Sequence, residues 1–265
     1  MKEQLKLTEQ DKLKIRSSKT KARVDLSVGS FFVNGFDESR YINEAIAEKV
    51  AKVFEIQCAE YFLVDVGRTK RTLAVISKDL NVNDDFHPIS FYWDKSDTTA
   101  DLSTICDISL YKAWHIIENL PFGSYQMVIE LVKVYIFDLL LANCDRHYDN
   151  WGIRKNHIAI LDNDLILTKS SRRIKLPSTY GSLDIPFFTE DFEVFLKTSS
   201  SEFIDLFLYY FRLITPAFLA NLLLEIEQEE GIEIPNKEEI LALYLNYRRA
   251  LGEIYFNFSK TDALK

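Results

Sequence analysis

The 265-residue sequence predicts an α+β protein in which a small strand-rich region precedes a larger helical region. Apolar and polar residues alternate in several short segments before residue 80, which is typical of strands. From about residue 100 the apolar residues recur at helical spacing, apart from one polar segment, residues 143–164, that predicts a strand hairpin. We therefore expect an N-terminal lobe over residues 1–82 and a C-terminal lobe over residues 83–265.

The predicted N-terminal lobe combines strands with one helix. Residues 5–7 and 12–16 alternate weakly and are interpreted as short strands, followed by the turn "SSKTK" and the strand "ARVDLSV". The turn "NGFDES" supplies Asp37 or Ser39 as a cap for the helix "RYINEAIAEKVAKVF". "EYFLVDVG" and "RTLAVISKDL" then predict two strands joined by a Gly-Arg turn.

The predicted C-terminal lobe is mainly helical. Its longest apolar stretch, "LFLYYFRLITPAFLANLLLEIE", is interrupted by Arg212 and Pro216, so it predicts two core helices and no membrane span. The hairpin consists of the strands "NWGI" and "HIAILD" around the turn "RKN". Helices are expected at roughly residues 107–119, 125–142, 188–196, 201–212, 215–229 and 236–259.

Charge and cysteine content restrict the class of protein. The net charge of −8 argues against direct nucleic-acid binding by the chain as a whole. Residues 1–23 hold eight Lys and Arg against three Asp and Glu, a local charge of +5 that leaves −13 on the rest. This basic edge is either a solvated surface or a contact for a phosphate-bearing ligand. Three cysteines without C-x-x-C spacing, and an N-terminus without an apolar signal region, favour a cytoplasmic location.

The segment "LLLANCDRHYDNWGIRKNHIAILDND", residues 139–164, concentrates the polar residues that phosphoryl transfer requires. That reaction needs a carboxylate that orients the acceptor hydroxyl and hard oxygen ligands for Mg²⁺. Asp145 follows an apolar helix, and Asn150 follows it by five residues. The predicted hairpin returns Asp162 to the neighbourhood of Asn150. We therefore expect a base, an amide ligand and a carboxylate ligand to converge.

Other interpretations of the same residues stay open or are excluded. Asp162, Asn163 and Asp164 lack the alternating ligands and glycine of an EF-hand, but they can form a simple polar turn. His147 and His157 are ten residues apart, which fits no usual zinc spacing. No G-x-S-x-G nucleophile motif occurs. A capped helix end followed by a solvated hairpin remains the structural alternative.

The string D-x-x-x-x-N-x-D-R-H-x-x-N-W-G, from Asp138 to Gly152, strongly resembles the catalytic segment of the HipA-like serine/threonine kinases, and in particular the compact CtkA-type group. The helix that carries Glu44, the strand "LAVISKDL" and the last helix "EEILALYLNYRRALGEIYF" are similar to elements of that family. The string D-R-H-x-x-N also occurs in phosphatidylinositol kinases. A lipid or small-molecule kinase is therefore an alternative.

The resemblance implies a protein-kinase-like bilobal fold that transfers the γ-phosphate of ATP to Ser or Thr, less often Tyr, of a protein substrate. By position, Asp145 would be the catalytic base, and Asn150 and Asp162 would be the Mg²⁺ ligands. Asp138 would brace the loop. The resemblance also implies a toxin paired with a small antitoxin, or a delivered effector.

The N-terminal lobe departs from the family pattern. A kinase places a Lys on the strand before its Glu-bearing helix, where the Lys pairs with the Glu and contacts phosphate. Here we expect a cation of "KARVDLSV" to pair with Glu44, with Lys21 and Arg23 on one strand face and Arg23 favoured. No glycine-rich loop precedes this strand, so "RSSKTK", with Lys19, is expected to contact phosphate instead. A catalytically impaired module, or one completed by a partner protein, is the alternative.

Overall fold

The computed structural model describes residues 5–36, 38–81, 85–92, 110–143, 146, 149–167 and 189–262. In chain order the elements are α1 (Glu9–Ser17), β1 (Ala22–Leu26), β2 (Gly29–Gly35), α2 (Glu38–Phe54), β3 (Gln57–Cys58), β4 (Tyr61–Asp65), β5 (Leu73–Lys78), β6 (Phe86–Pro88), a 3-10 turn (Ile89–Tyr92), α3 (Leu110–Asn119), α4 (Tyr125–Leu141), β7 (Trp151–Arg154), β8 (His157–Ile160), α5 (Thr189–Thr198), α6 (Ser201–Leu213), α7 (Pro216–Glu230) and α8 (Lys237–Asp262).

The chain divides into two compact units that are each built from separate stretches of sequence. The first unit contains residues 1–92, 148–164 and 224–234, and the second contains residues 93–147, 165–223 and 235–265. The β7–β8 hairpin, which we expected in the C-terminal lobe, thus groups with the N-terminal residues. The lobe boundary at residue 82 stays a prediction.

The first element is a helix, and the strands predicted over residues 5–7 and 12–16 are wrong. A reciprocal capping box starts α1: the Asp11 N–H donates to the Thr8 hydroxyl at 3.1 Å, and the Thr8 N–H donates to the Asp11 carboxylate at 2.9 Å. Two alternating apolar residues, Leu13 and Ile15, suggested a strand. The capping box favours the helix because it satisfies N-terminal amides that a helix otherwise leaves without a partner.

The first sheet has the strand order β1-β2-β5-β4, and all its neighbouring strands are antiparallel. The β4–β5 hairpin confirms the prediction for "EYFLVDVG" and "RTLAVISKDL". Strand β2 was not predicted, because the Gly and Asn residues at its two ends suggested turns. Strand β1 pairs with β2 from Leu26 to Gly29, which leaves only two residues for the turn between them.

Helix α2 confirms the predicted Glu-bearing helix. Its buried face includes Ile42, Ile46 and Val50. The helix begins at Glu38, so Ser39 lies inside it and is not its cap. The other predicted cap, Asp37, lies outside the described residues.

The second sheet has the strand order β3-β8-β7-β6 and contains the predicted hairpin. Lys155 and Asn156 form its two-residue turn, and both have a positive φ, 51° and 63°, as a type I′ hairpin turn requires. Gly152 pairs with Pro88 of β6. A Cβ atom at Gly152 would lie 2.1 Å from the main-chain oxygen of His87, so the close approach of β6 requires glycine.

The predicted helices of the C-terminal half are confirmed as α3 to α8 within the residues that the structure describes; residues 107–109 and 188 lie outside them. Helix α4 is capped at its C-terminus by Ala142, which adopts a left-handed conformation with φ of 51°. Over the described residues, no single helix is long and apolar enough to cross a membrane. Helices α6 and α7 have the length and apolar composition of a membrane span only when they are taken together, and the chain bends by 58° between them.

Candidate active site

Lys21 and Asp162 meet in the first unit, Lys21 directly before strand β1 and Asp162 two residues after the end of strand β8. Lys21 precedes β1 with φ of 63°, and its N–H donates to the Val33 carbonyl at 2.6 Å. Asp162 follows β8 with φ of 54°. The Lys21 ammonium donates to the Asp162 carboxylate, and the two groups form an ion pair. Two left-handed residues thus bring a cation and a carboxylate together.

Glu44 is almost fully buried on α2, with 3 % of its surface exposed. Both its carboxylate oxygens accept the main-chain N–H of Asn163 at 2.9 Å. Burial raises the pKa of Glu44 to about 8; the Asn163 N–H opposes this rise, and the nearby carboxylates of Asp162 and Asp164 add to it. Glu44 therefore anchors the backbone immediately after Asp162.

Tyr61 of β4 is buried between Glu44 and Asp162. Its hydroxyl accepts the main-chain N–H of Asp162 at 2.8 Å and forms a side-chain hydrogen bond with Glu44. The Tyr61 N–H donates to the Glu48 carboxylate at 3.2 Å. Burial raises the pKa of Tyr61 well above 10, so the hydroxyl stays protonated.

Helix α2 also holds Asp164. The Arg40 Nε lies 3.1 Å from an Asp164 carboxylate oxygen, and the Asn43 amide donates to the Asp164 carbonyl at 2.7 Å. Arg40, Asn43 and Glu44 are neighbours on one side of the helix, at spacings of three and four residues. One helix face therefore fixes both residues that follow Asp162.

Asn150 lies beside the same segment through the hairpin backbone. Asn150 is buried, with 3 % of its surface exposed, and its main-chain carbonyl accepts the N–H of Leu161 at 3.0 Å. Trp151, which is buried, pairs with Ile160. The hairpin therefore returns the main chain of Asp162 to the neighbourhood of Asn150, as predicted.

The brace expected from Asp138 is found in the second unit. Asp138 is buried on α4 and accepts a hydrogen bond from the Asn143 amide at 2.7 Å. The Arg146 guanidinium donates to both carboxylate oxygens of Asp138 at 2.9 Å. One carboxylate thus holds two residues that are three positions apart in the sequence. The predicted base, Asp145, and His147 lie outside the described residues.

The structure does not bring Arg23 to Glu44. The Arg23 Nε lies 3.1 Å from the buried Asp79 carboxylate and 3.9 Å from that of Asp25. Within the described part of the chain, no Lys or Arg contacts Glu44. The prediction failed because the strand before α2 is β2, which carries no cation.

Lys21 and Arg23 contact different carboxylates, although we expected both on one strand face. Lys21 lies outside β1 and is left-handed, so the side-chain alternation of the strand does not extend to it. Lys19 belongs to the segment that joins α1 to β1 and is exposed, while its carbonyl accepts the N–H of Ala22 at 3.1 Å. The predicted phosphate-binding roles of the three cations stay predictions.

The donor chemistry near the hairpin fits Mg²⁺. Mg²⁺ is held in nucleotide enzymes by one or two protein oxygens together with phosphate oxygens and water. Asn150 and Asp162 offer an amide oxygen and a carboxylate. Among the described residues no cluster of three or more His, Cys, Asp or Glu has a metal-binding arrangement, so an all-protein cage is not present there. The metal roles of the two residues stay predictions.

Sequence reasoning missed several contacts of this site. Asn43 and Glu44 follow Arg40 at helical spacings of three and four residues, and that polar stripe on a half-apolar helix was the available signal. Tyr61 lies in an apolar strand whose pattern gave no sign that its hydroxyl reaches Asp162. Only the tertiary fold places these groups together.

No protein-family model matches the chain, and no curated protein matches its sequence. Solved structures define its fold as an α+β, protein-kinase-like fold, which confirms the predicted fold class. The Helicobacter pylori proinflammatory kinase CtkA is similar with a TM-score of 0.54 and 16 % identity, over 91 % of this chain and 94 % of that chain. The Shewanella oneidensis HipA, in a complex with HipB and its operator DNA, is similar with a TM-score of 0.50 and 14 % identity, over 88 % of this chain and 59 % of that chain.

Proposed function

We propose that this protein is an ATP- and Mg²⁺-dependent protein kinase that phosphorylates Ser or Thr of a protein substrate. The observation that carries the proposal is the ion pair of Lys21 with Asp162, beside the Glu44–Asn163 contact. A cation, a candidate metal ligand and a buried helix glutamate are the parts that a kinase site requires. The kinase-like fold supports the same conclusion.

Each residue has a distinct task in this proposal. Asn150 and Asp162 would hold Mg²⁺, which neutralises charge on the phosphate oxygens when it is bound. Lys21 would supply positive charge to the triphosphate, since its ammonium already lies against Asp162. Glu44 would keep the Asp162 segment in position through the Asn163 N–H.

The proposed chemical step depends on Asp145. Asp138 holds Asn143 and Arg146, the described residues on either side of Asp145 in the sequence. In the reaction the acceptor oxygen bonds to the γ-phosphorus while the bond from that phosphorus to the ADP oxygen breaks. The hydroxyl proton passes to the Asp145 carboxylate.

Radiolabel transfer tests the proposal directly. The purified protein is incubated with γ-labelled ATP and Mg²⁺, with and without cell lysate, and a parallel sample contains excess chelator. We expect labelled protein bands that require Mg²⁺ and resist hydroxylamine, as phosphoserine and phosphothreonine do. Absence of any Mg²⁺-dependent labelled band in every sample would contradict the proposal.

A second candidate is a kinase whose phosphate grip is completed by a partner protein. One observation in its favour is the two-residue turn between β1 and β2, where a kinase has a glycine-rich loop that covers the phosphates. The other is that β2 carries no cation. The HipA structure contains HipB, and a small antitoxin is the partner that we propose to test first. This candidate predicts labelling only after the partner is added.

A further inference from the structure

We propose that Tyr61 is a positioning residue, whose hydroxyl sets the backbone conformation of the metal-binding Asp162. The proposal rests on the kinase function given above and deepens it. Its basis is the hydrogen bond from the Asp162 N–H to the Tyr61 hydroxyl, 2.8 Å long and formed across 101 residues of sequence. Tyr61 itself touches neither the metal nor the nucleotide in this proposal.

Asp162 needs such a partner because its backbone is unusual. Its φ of 54° lies in the left-handed region, which residues other than glycine rarely adopt. The direction of its carboxylate depends on that conformation, since the side chain leaves the backbone at the same Cα atom. A hydrogen bond to its N–H therefore helps to select the direction in which Asp162 presents its oxygens.

The Tyr61 hydroxyl is itself held in one orientation. A phenol hydroxyl has a single proton, so a hydroxyl that accepts from the Asp162 N–H directs its own proton to another acceptor. The carboxylate of Glu44 takes this hydrogen bond. The same carboxylate accepts the N–H of Asn163, so two consecutive amides of one loop are fixed by a connected pair of buried groups.

Helix α2 also fixes the backbone of Tyr61. The Tyr61 N–H donates to Glu48, which lies one helical turn after Glu44. Two buried glutamates of one helix thus hold the two ends of the same tyrosine. The position of α2 is thereby transmitted to Asp162 through Tyr61.

Tyr61→Phe isolates the hydroxyl, and Tyr244→Phe is the matched control. Tyr244 is also fully buried, and its hydroxyl donates to the main-chain carbonyl of Ile214 in the second unit. Each substitution removes one buried hydroxyl and keeps the ring. A purely structural effect would be similar in both variants.

Two readouts are compared: the hydrogen-exchange rate of the Asp162 amide without nucleotide, and the Mg²⁺ concentration that half-saturates binding of a non-hydrolysable ATP analogue in calorimetry. For Tyr61→Phe we expect exchange to accelerate about tenfold and the Mg²⁺ midpoint to rise about tenfold, as loss of one hydrogen bond implies. Tyr244→Phe should change neither by more than about twofold.

The outcomes separate this proposal from the proposed function. If wild type does not bind the nucleotide with Mg²⁺, the kinase function is wrong, and the exchange rate alone decides whether Tyr61 holds Asp162. If wild type binds and Tyr61→Phe has an unchanged Mg²⁺ midpoint, the role of Tyr61 is refuted while the kinase function stands. If Tyr61→Phe does not fold, the hydrogen-exchange rate of the Asp162 amide in the wild-type protein provides the test. A rate as fast as that of the exposed turn residue Asn156 contradicts the proposal. A much slower rate supports it.

Discussion

Lys21 and Asp162 form an ion pair although 141 residues separate them in the sequence. The contact joins the start of the first sheet to the segment that follows the β7–β8 hairpin. An ammonium that already faces the candidate metal ligand is a better candidate phosphate contact than a cation held elsewhere. The sequence favoured Arg23 as the partner of Glu44, whereas in the structure Arg23 pairs with Asp79.

Lys21→Ala should weaken nucleotide binding more than Arg23→Ala. Lys21 faces Asp162, whereas Arg23 pairs with Asp79 and Asp25. We expect Lys21→Ala to raise the Kd of a non-hydrolysable ATP analogue about tenfold or more, the effect of about 1.4 kcal/mol, and Arg23→Ala to raise it less than about twofold. Calorimetry with Mg²⁺ present measures both. A larger loss in Arg23→Ala would reassign the phosphate contact.

Asp162→Ala and Asn150→Ala should each weaken Mg²⁺-dependent nucleotide binding, because each removes a hard oxygen ligand. A rise of about tenfold or more in the Mg²⁺ midpoint is expected for both variants. Asp164→Asn is the control, since its carboxylate pairs with Arg40 and need not face the metal. Should Asp164→Asn lose Mg²⁺ dependence while Asp162→Ala keeps it, the metal role belongs to Asp164.

Glu44 should make the stability of the protein depend on pH. Burial raises its pKa to about 8 from an ordinary value of 4.5, so the folded state binds more protons than the unfolded state between these values. The contribution is therefore fully present below about pH 4.5 and is lost as the pH rises towards 8, by a few kcal/mol at about 1.4 kcal/mol per pKa unit. Glu44→Gln should flatten this part of the profile.

Chemical denaturation of the ligand-free protein at a series of pH values measures this effect. Glu193→Gln is a suitable control, because Glu193 is exposed on α5 and pairs with Lys197 on its own helix. Its profile should follow that of wild type. Parallel profiles for wild type and Glu44→Gln between pH 4.5 and 8 would contradict a raised pKa of Glu44.

The sequence predicted the elements whose signals are local. The β7–β8 hairpin has Lys155 and Asn156 at its turn, and α2 carries a continuous apolar stripe, so spacing alone was sufficient for both. The brace of Asp138 was predicted from the resemblance and is present in the structure. In each case the partners lie within one element or a few residues apart.

The wrong predictions have two causes, which are misread local signals and contacts that only the fold creates. Helix α1 depends on a capping box in which Asp11 takes the place of the usual Glu, and β2 is flanked by residues with strong turn preference. Because β2 was not predicted, β1 was taken as the strand before α2. Arg23 of β1 was therefore favoured as the partner of Glu44. The contact of Tyr61 with Asp162 spans two elements that only the fold brings together.

Phosphate transfer by wild type and Asp145→Asn tests the central claim most directly. The substitution keeps the shape of the side chain and removes the carboxylate that would accept the hydroxyl proton, so folding and nucleotide binding should be almost unchanged. With γ-labelled ATP, Mg²⁺ and the same lysate, we predict labelling by wild type and a loss of about 10²-fold or more in the variant. Equal labelling by purified wild type and Asp145→Asn would contradict the account.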